Sequence, residues 1–337
     1  MEMPAEIFRR IQAAYAGRSV CVTGGTGFIG GHIVDTLVAA GANVSVIDDL
    51  SNSTLDRISD HIELQPDNVR FVYGSILDDR ALHDAIDGSE IVIHLAAMGS
   101  VPRSMKEPAR TFEVNASGTL RVFESARRHN VSRVVIAASS SAYGNPDSLP
   151  CVETMPTRPA SPYAASKLAC EQLATAWSQA YGLSTACLRY FNIFGPRQRA
   201  DSAYAAVVAA FATRLLKGEP PVIFGDGKQS RDFTFISNAV YATLLAGTHD
   251  RPLMGEVMNI GTGGSVSLIE LAAMMSEILT GEEIDPIFEP PREGDVRDSQ
   301  ADITRARTLI GYEPIASLRE GLVQTCDWYR STVEAGS

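Results

Sequence analysis

A chain of 337 residues, 45% apolar and 20% charged, is long enough for one large or two modest cores and has an ordinary globular composition. Its formal net charge of -11 excludes a broad basic surface for nucleic acid, although local arginines and helix N-termini can still hold a phosphate. Five cysteines without C-x-x-C spacing and six histidines without H-E-x-x-H predict reduced thiols in the core, a cytoplasmic setting and no metal. No stretch approaches the roughly 18 apolar residues of a membrane span.

The opening "MEMPAEIFRRIQAAYAGRSV" reads as a short amphipathic helix without the apolar block of a signal peptide; what residues 1–17 do is not legible. Short β-branched runs follow at 19–24, 43–48, 70–74, 90–97, 133–139 and 184–190, mostly apolar throughout, as strands covered on both faces are. Between the first two, "FIGGHIVDTLVAAG" places Ile29, Ile33 and Leu37 on one helical face and Gly41 at its end. This βα alternation predicts an α/β fold, a doubly wound parallel Rossmann sheet. Past residue 190 the texture becomes loop-rich. The expected division is a dinucleotide-binding domain over 1–190 and a smaller α/β lobe over 191–337, with a strand near 257–260 returning to the first.

Gly24-x-x-Gly27-x-x-Gly30 directly follows the first strand and opens the first long helix. A bare tight turn explains such a triplet too, but this context is the one a dinucleotide pyrophosphate requires. Asp48 ends the second strand, where a carboxylate accepts from an adenosine ribose and repels a 2′-phosphate, favouring NAD over NADP. The run "ASSSAYG" (138–144) ends another strand; its serines either terminate it or relay a proton. In "SPYAASK" (161–167) proline suits a helix start, and Tyr163 and Lys167 share a face four residues apart.

Glycine loop, strand-end serine and Tyr-x-x-x-Lys together resemble the extended short-chain dehydrogenase/reductases. "HLAAMGSVPRS", "LRYFNIFGPRQ", "GDGKQSRDF" and "REGDVRDSQAD" narrow the resemblance to nucleotide-sugar 4-epimerases, above all the UDP-N-acetylhexosamine 4-epimerases of bacterial polysaccharide pathways. It implies Ser139, Tyr163 and Lys167 as catalytic residues. For NAD it implies Gly24, Gly27, Phe28, Ile29 and Gly30, then Asp48, Asp49, Ser51, Asn52 and Ser53, with Ser75, Ile76, Leu95, Ala96, Ala97 and Tyr190 beyond them. Ser75 stands where the family usually has an aspartate facing adenine. Asn192, Arg231 and Arg292 match diphosphate contacts and Asp295 a uridine-ribose contact. Gly99, Ser100, Ser140, Ser141, Gln198, Ala206 and Ser299 match the sugar pocket. Relatives pair into homodimers through two helices per subunit, here about 108–129 and 163–181.

The implied chemistry is physically coherent. Free tyrosine titrates near pH 10, so a tyrosine base at neutral pH needs positive charge beside it, from a lysine and an oxidised nicotinamide. The base takes the sugar 4-OH proton while NAD accepts the C4 hydride, and return of hydride to the other face of a 4-keto sugar inverts C4. Dehydratases of this outline carry Asp and Glu where Ser140 and Ser141 stand, and UDP-xylose-forming decarboxylases carry Glu at the second place. Ser299 replaces the bulky tyrosine of glucose/galactose-restricted enzymes and leaves room for an N-acetyl group. The expected substrate is UDP-GlcNAc/UDP-GalNAc, with UDP-Glc/UDP-Gal admitted. The alternatives are a UDP-glucuronate-type epimerase, a dehydratase or decarboxylase, and a non-catalytic NAD-binding regulator.

Overall fold

The computed structural model describes residues 3–199, 207–291 and 296–335. From the N-terminus, α1 (Ala5–Tyr15) leads into β1 (Ser19–Thr23), α2 (Phe28–Ala39), β2 (Asn43–Asp48), α3 (Ser59–Leu64), β3 (Val69–Tyr73), α4 (Asp79–Ile86) and β4 (Ile91–His94). Next come α5 (Val101–Lys106), α6 (Pro108–Phe112), α7 (Gly118–Arg128), β5 (Arg133–Ser139), α8 (Pro162–Tyr181) and β6 (Ser184–Tyr190). The rest runs β7 (Ile193–Phe194), α9 (Val207–Leu216), β8 (Val222–Phe224), β9 (Ser230–Arg231), β10 (Thr234–Phe235) and α10 (Ile236–Gly247). It ends with β11 (Met254–Ile260), β12 (Val266–Ser267), α11 (Leu268–Thr280), β13 (Ile287–Glu289), α12 (Thr304–Ile310) and α13 (Leu318–Ala335).

Among the described residues seven strands form one parallel sheet in the order β11-β6-β5-β4-β1-β2-β3. Val20, Val22, Val46, Ile93, Val135 and Leu188 are fully or almost fully buried, because helices cover both faces. The chain winds outward from β1 to β3, then crosses back to β4. That reversal opens a crevice past the C-terminal ends of β1 and β4, the ligand site of doubly wound sheets.

Helix α8 forms where its sequence signals place it. Ser161 Oγ accepts from Ala164 N (3.1 Å), Pro162 occupies the first turn, and Gly182 closes the helix at φ 71°. The N-terminal α1 settles what the sequence left open. It packs beside α2 and α10, with Ile11 and Tyr15 buried and the Tyr15 hydroxyl donating to Leu244 O (2.8 Å).

Two expectations differ in detail. The strand expected over 90–97 stops at His94, because the Ala96 amide turns to Thr23 Oγ1 (3.2 Å) as the chain leaves the sheet. The helix expected over 108–129 is interrupted by a π-helical turn at Glu113–Ser117. There the Asn115 carbonyl takes side-chain donors from Thr119 and Cys170.

Smaller pairings build the rest of the crevice. β8 pairs with β13, β9 with β12 and β10 with β7. Ser299 N donates to Ser230 O (3.0 Å), and Cys151 bridges to Ala301. The connection between Ser139 and α8 is thereby fastened to the segment that carries Ser299.

Candidate active site

The glycine loop is held by its own close packing. Gly24 adopts φ 70°, and a Cβ there would lie 2.7 Å from Ala96 N; one at Gly30 would lie 2.1 Å from Gly24 O. No side chain can occupy either place. Gly27 caps α2 without any side-chain hydrogen bond, so the first-turn amides of α2 remain for an anion. At the end of β2, Asp48 accepts from Thr26 N (3.2 Å), Leu50 N (3.0 Å) and Ser53 Oγ (3.3 Å), tying the glycine loop to the loop that carries Asp49, Ser51 and Asn52. Phe28 and Ile29 begin α2, while Ser75 and Ile76 follow β3 and Leu95, Ala96 and Ala97 follow β4. A glycine cradle, uncapped helix amides and a strand-end carboxylate fit a dinucleotide, and these are the residues that would hold it.

Ser139 is the last residue of β5. Its Oγ lies 2.8 Å from Ser141 Oγ and accepts from Ser141 N (3.2 Å), within a 3₁₀ turn, Ser140–Tyr143. Tyr163 is half-buried in the first turn of α8, and among the described residues its hydroxyl has no hydrogen-bond partner. Lys167 is buried one turn further on, and its Nζ donates to Ala137 O (2.8 Å) on the strand that ends in Ser139. The Lys167 ammonium and the Ser139 hydroxyl thus share one strand end, with Tyr163 one helical turn before Lys167 on α8; an ammonium, a hydroxyl and a phenol are the groups that proton transfer at a sugar hydroxyl uses.

Beyond β6 a cavity of about 230 Å³ is lined by Asn192, Val222, Phe224, Gln229 and Arg231, among others. Arg231 is 8% exposed and donates to Ser230 O (2.9 Å) and Arg297 O (2.8 Å). Its neighbour Asp232 accepts from Thr262 N, Gly263 N and Ala301 N, and burial raises its carboxyl above the usual range. Asn192 sits in the left-handed region (φ 23°) and is exposed. Ser299 is 9% exposed beside β9, and Gln198 donates from Nε2 to Ile193 O (3.1 Å). Gly99 and Ser100 precede α5, with Ser100 Oγ accepting from Arg103 N (3.2 Å). Ala206, Arg292 and Asp295 lie outside the described residues. Tyr190 turns its hydroxyl to Thr243 Oγ1 (2.6 Å), where burial pushes it up to about 12.

Sequence reading missed a buried chain beneath the site. Thr119 donates to Asn115 O, so His94 Nε2–H donates to Thr119 Oγ1 (2.9 Å) and Nδ1 accepts from Thr23 Oγ1 (2.7 Å). Burial, reinforced by the Lys167 charge, holds this imidazole neutral with a pKa lowered to about 3. Asn115 in turn donates to Ser166 Oγ (2.9 Å) and accepts from Met98 N (2.8 Å). The signal was present in "HLAA" and "VNASGT", but an isolated histidine and asparagine carry no spacing that marks them.

Residues 20–261 match the family model described as "NAD dependent epimerase/dehydratase family". The chain is 39% identical over 312 residues to a UDP-glucose 4-epimerase of Mycolicibacterium smegmatis, covering 92% of this chain and 98% of that one. Among solved structures it is similar to a UDP-N-acetylglucosamine 4-epimerase from Methanobrevibacter ruminantium in complex with UDP-N-acetylmuramic acid. That likeness has a TM-score of 0.88 at 36% identity, covering 94% of this chain and 99% of that one. A Thermus thermophilus UDP-glucose 4-epimerase in complex with NAD aligns with a TM-score of 0.81 at 33% identity, covering 93% and 99%. The chain belongs to the NAD dependent epimerase/dehydratase family, and it is an enzyme whose cofactor is NAD.

Proposed function

We propose that this enzyme is a UDP-sugar 4-epimerase, acting on UDP-GlcNAc and UDP-GalNAc and admitting UDP-glucose and UDP-galactose. The observation that carries the reading is the junction of Lys167 with the strand ending in Ser139, next to Ser140 and Ser141. Neither of those two serines offers the carboxylate that elimination or a decarboxylase-type site would use. The regulator alternative has no use for a buried lysine docked beside a phenol and a serine.

In this reading Tyr163 takes the proton of the sugar 4-OH, directly or through Ser139, and later returns it. Lys167 stabilises the phenolate, and its bond to Ala137 O fixes where the ammonium stands. The chemistry supplied by bound NAD is acceptance of hydride from C4 and its return to the opposite face. Arg231, held by the Ser230 and Arg297 carbonyls, takes the diphosphate together with Asn192, while Ser299 leaves space beside C2. Residues 1–190 serve the cofactor and 191–337 the sugar nucleotide.

A homodimer through α6–α8 is part of the same proposal, supported by exposed Phe112 and Tyr181 on those helices and Met105 beside them. A cytoplasmic setting and a place in polysaccharide precursor supply are supported by buried, unpaired cysteines and by the sugar assigned. No described helix is long and apolar enough to cross a membrane.

The test is incubation of purified enzyme with UDP-GlcNAc or UDP-glucose, followed by proton NMR of the anomeric region. UDP-GalNAc formed at the higher kcat/KM is the expected result. Turnover of UDP-glucose alone would remove the acetyl-pocket assignment, and turnover of neither would remove the epimerase reading.

A further inference from the structure

The reacting groups assigned above sit on two separate elements. Ser139 ends β5, whereas Tyr163 and Lys167 belong to α8, more than twenty residues later. A buried ion pair ties α8 to β6, the strand paired with β5. Glu171, one turn past Lys167, accepts from Arg189 on β6 in a bidentate pair (2.8 and 2.7 Å), with both side chains at most 4% exposed. The Arg189 guanidinium lies 4.6 Å from the centre of the Tyr143 ring. Tyr143 closes the 3₁₀ turn that begins at Ser140, and its hydroxyl donates to Asn259 Oδ1 (2.7 Å) on β11.

Fold stability by itself does not account for this arrangement. Desolvating two charges offsets most of their attraction, so apolar side chains of similar volume often serve as well or better. Here a third guanidinium nitrogen, Arg189 Nη1, is buried without a hydrogen-bond partner among the described residues, which adds to that penalty. What an apolar pair would lack is direction. A bidentate fork fixes the guanidinium, and the guanidinium fixes the ring it lies over. Cross-strand register puts Arg189 opposite both Ala138 and Asn259, so the fork also stands in one row with the residue before Ser139.

We propose that the Glu171–Arg189 pair, acting through the Tyr143 ring, is a positioning unit that holds the serine turn in register with Tyr163 and Lys167. This rests on the reading of Ser139, Tyr163 and Lys167 as the reacting groups. None of the three residues of the unit touches substrate in this scheme; displacement of the serine turn by about 1 Å is enough to lower turnover by orders of magnitude.

The test measures thermal midpoint, kcat, KM for UDP-GlcNAc and NAD affinity in Glu171→Met, Arg189→Met, the double variant, Tyr143→Phe and Tyr143→Leu, beside wild type and Tyr163→Phe. Each single charge deletion lowers the midpoint, and the double variant recovers it, because no lone buried charge remains. With the midpoint recovered, kcat stays at least about tenfold low while KM and NAD affinity remain within about threefold of wild type. Tyr143→Phe keeps the ring and holds kcat near wild type, whereas Tyr143→Leu lowers kcat about tenfold at unchanged KM. Recovery of kcat together with the midpoint, or equal kcat in the Phe and Leu variants, overturns the proposal. Failure of the underlying reading shows elsewhere, as undiminished turnover in Tyr163→Phe.

Discussion

Lys167 Nζ donates to the carbonyl of Ala137 across 2.8 Å, two residues before Ser139. That one bond sets the ammonium of α8 at the end of β5 and makes one site of two elements. The site's chemistry can be probed from there.

Replacing Tyr163 by Phe removes the proposed base without altering the helix start, and replacing Lys167 by Met removes the charge one turn along from it. Turnover of UDP-GlcNAc falls by roughly 10²–10⁴-fold in each, the usual contribution of a positioned proton-transfer group. Progress curves by NMR, with thermal midpoints as a folding control, decide the matter. A Tyr163→Phe enzyme retaining more than a tenth of wild-type turnover would contradict the role.

Ser299, which the proposed function sets beside the sugar C2, is nearly buried next to β9, so in that reading a larger side chain there takes the space of the acetyl group. Ser299→Tyr lowers kcat/KM for UDP-GlcNAc by roughly 10–200-fold, as loss of space in a pocket does, and changes UDP-glucose turnover little. Equal losses on both sugars would detach Ser299 from acetyl recognition.

Gly144 follows the serine turn at φ 61°, and a Cβ there would meet Arg158 O at 2.1 Å. Gly144→Ala therefore strains the backbone and pushes the 142–158 contact apart; roughly 1–3 kcal/mol of stability is lost from the backbone alone. Urea unfolding measures that loss, and kcat falls with it because the displaced turn starts directly after Ser139.

His94 and His32 predict an acid-sensitive fold. Each is read as neutral, with Nε2–H donating: His94 to Thr119 Oγ1, and His32 to Pro196 O (3.0 Å) while its Nδ1 accepts from Arg197 (2.7 Å). Burial lowers His32 to about 4 and His94 to about 3. The unfolded chain titrates near 6.5, so it binds protons first as pH falls, and stability present above 6.5 is lost toward pH 4. The slope is roughly 1.4 kcal/mol per pH unit for each histidine. Urea midpoints at pH 7, 6 and 5 give it directly, and His32→Asn should remove about half. Constant stability from pH 7 to 5 would refute the neutral-histidine assignment.

The α1 helix acts on stability and not on the site. Tyr15→Phe removes one of two side-chain donors to the Leu244 carbonyl, leaving Thr248 Oγ1 (3.2 Å), and lowers stability by about 1 kcal/mol, and Tyr15→Ala by roughly 3–5. Turnover per folded enzyme stays unchanged in both. A selective loss of kcat would show that α1 reaches the active site.

Local signals in the sequence were enough for the parts whose shape depends on neighbours in the chain. The glycine loop, the βα alternation, and the Ser161–Pro162 start and Gly182 stop of α8 all follow from spacing, capping and backbone freedom within a few residues. The same holds for the pairing of Tyr163 with Lys167, four apart on one helix face. Other features were decided only by folding. His94 bonds Thr23 and Thr119, 71 and 25 residues away, and Glu171 finds Arg189 18 residues on. Tyr190 turned its hydroxyl into the core at Thr243, although its motif points to the cofactor. Such contacts depend on strand order and register, which no local period encodes, so the residues that brace the site stayed hidden, while those we propose to perform the chemistry stand in motifs with a spacing of their own.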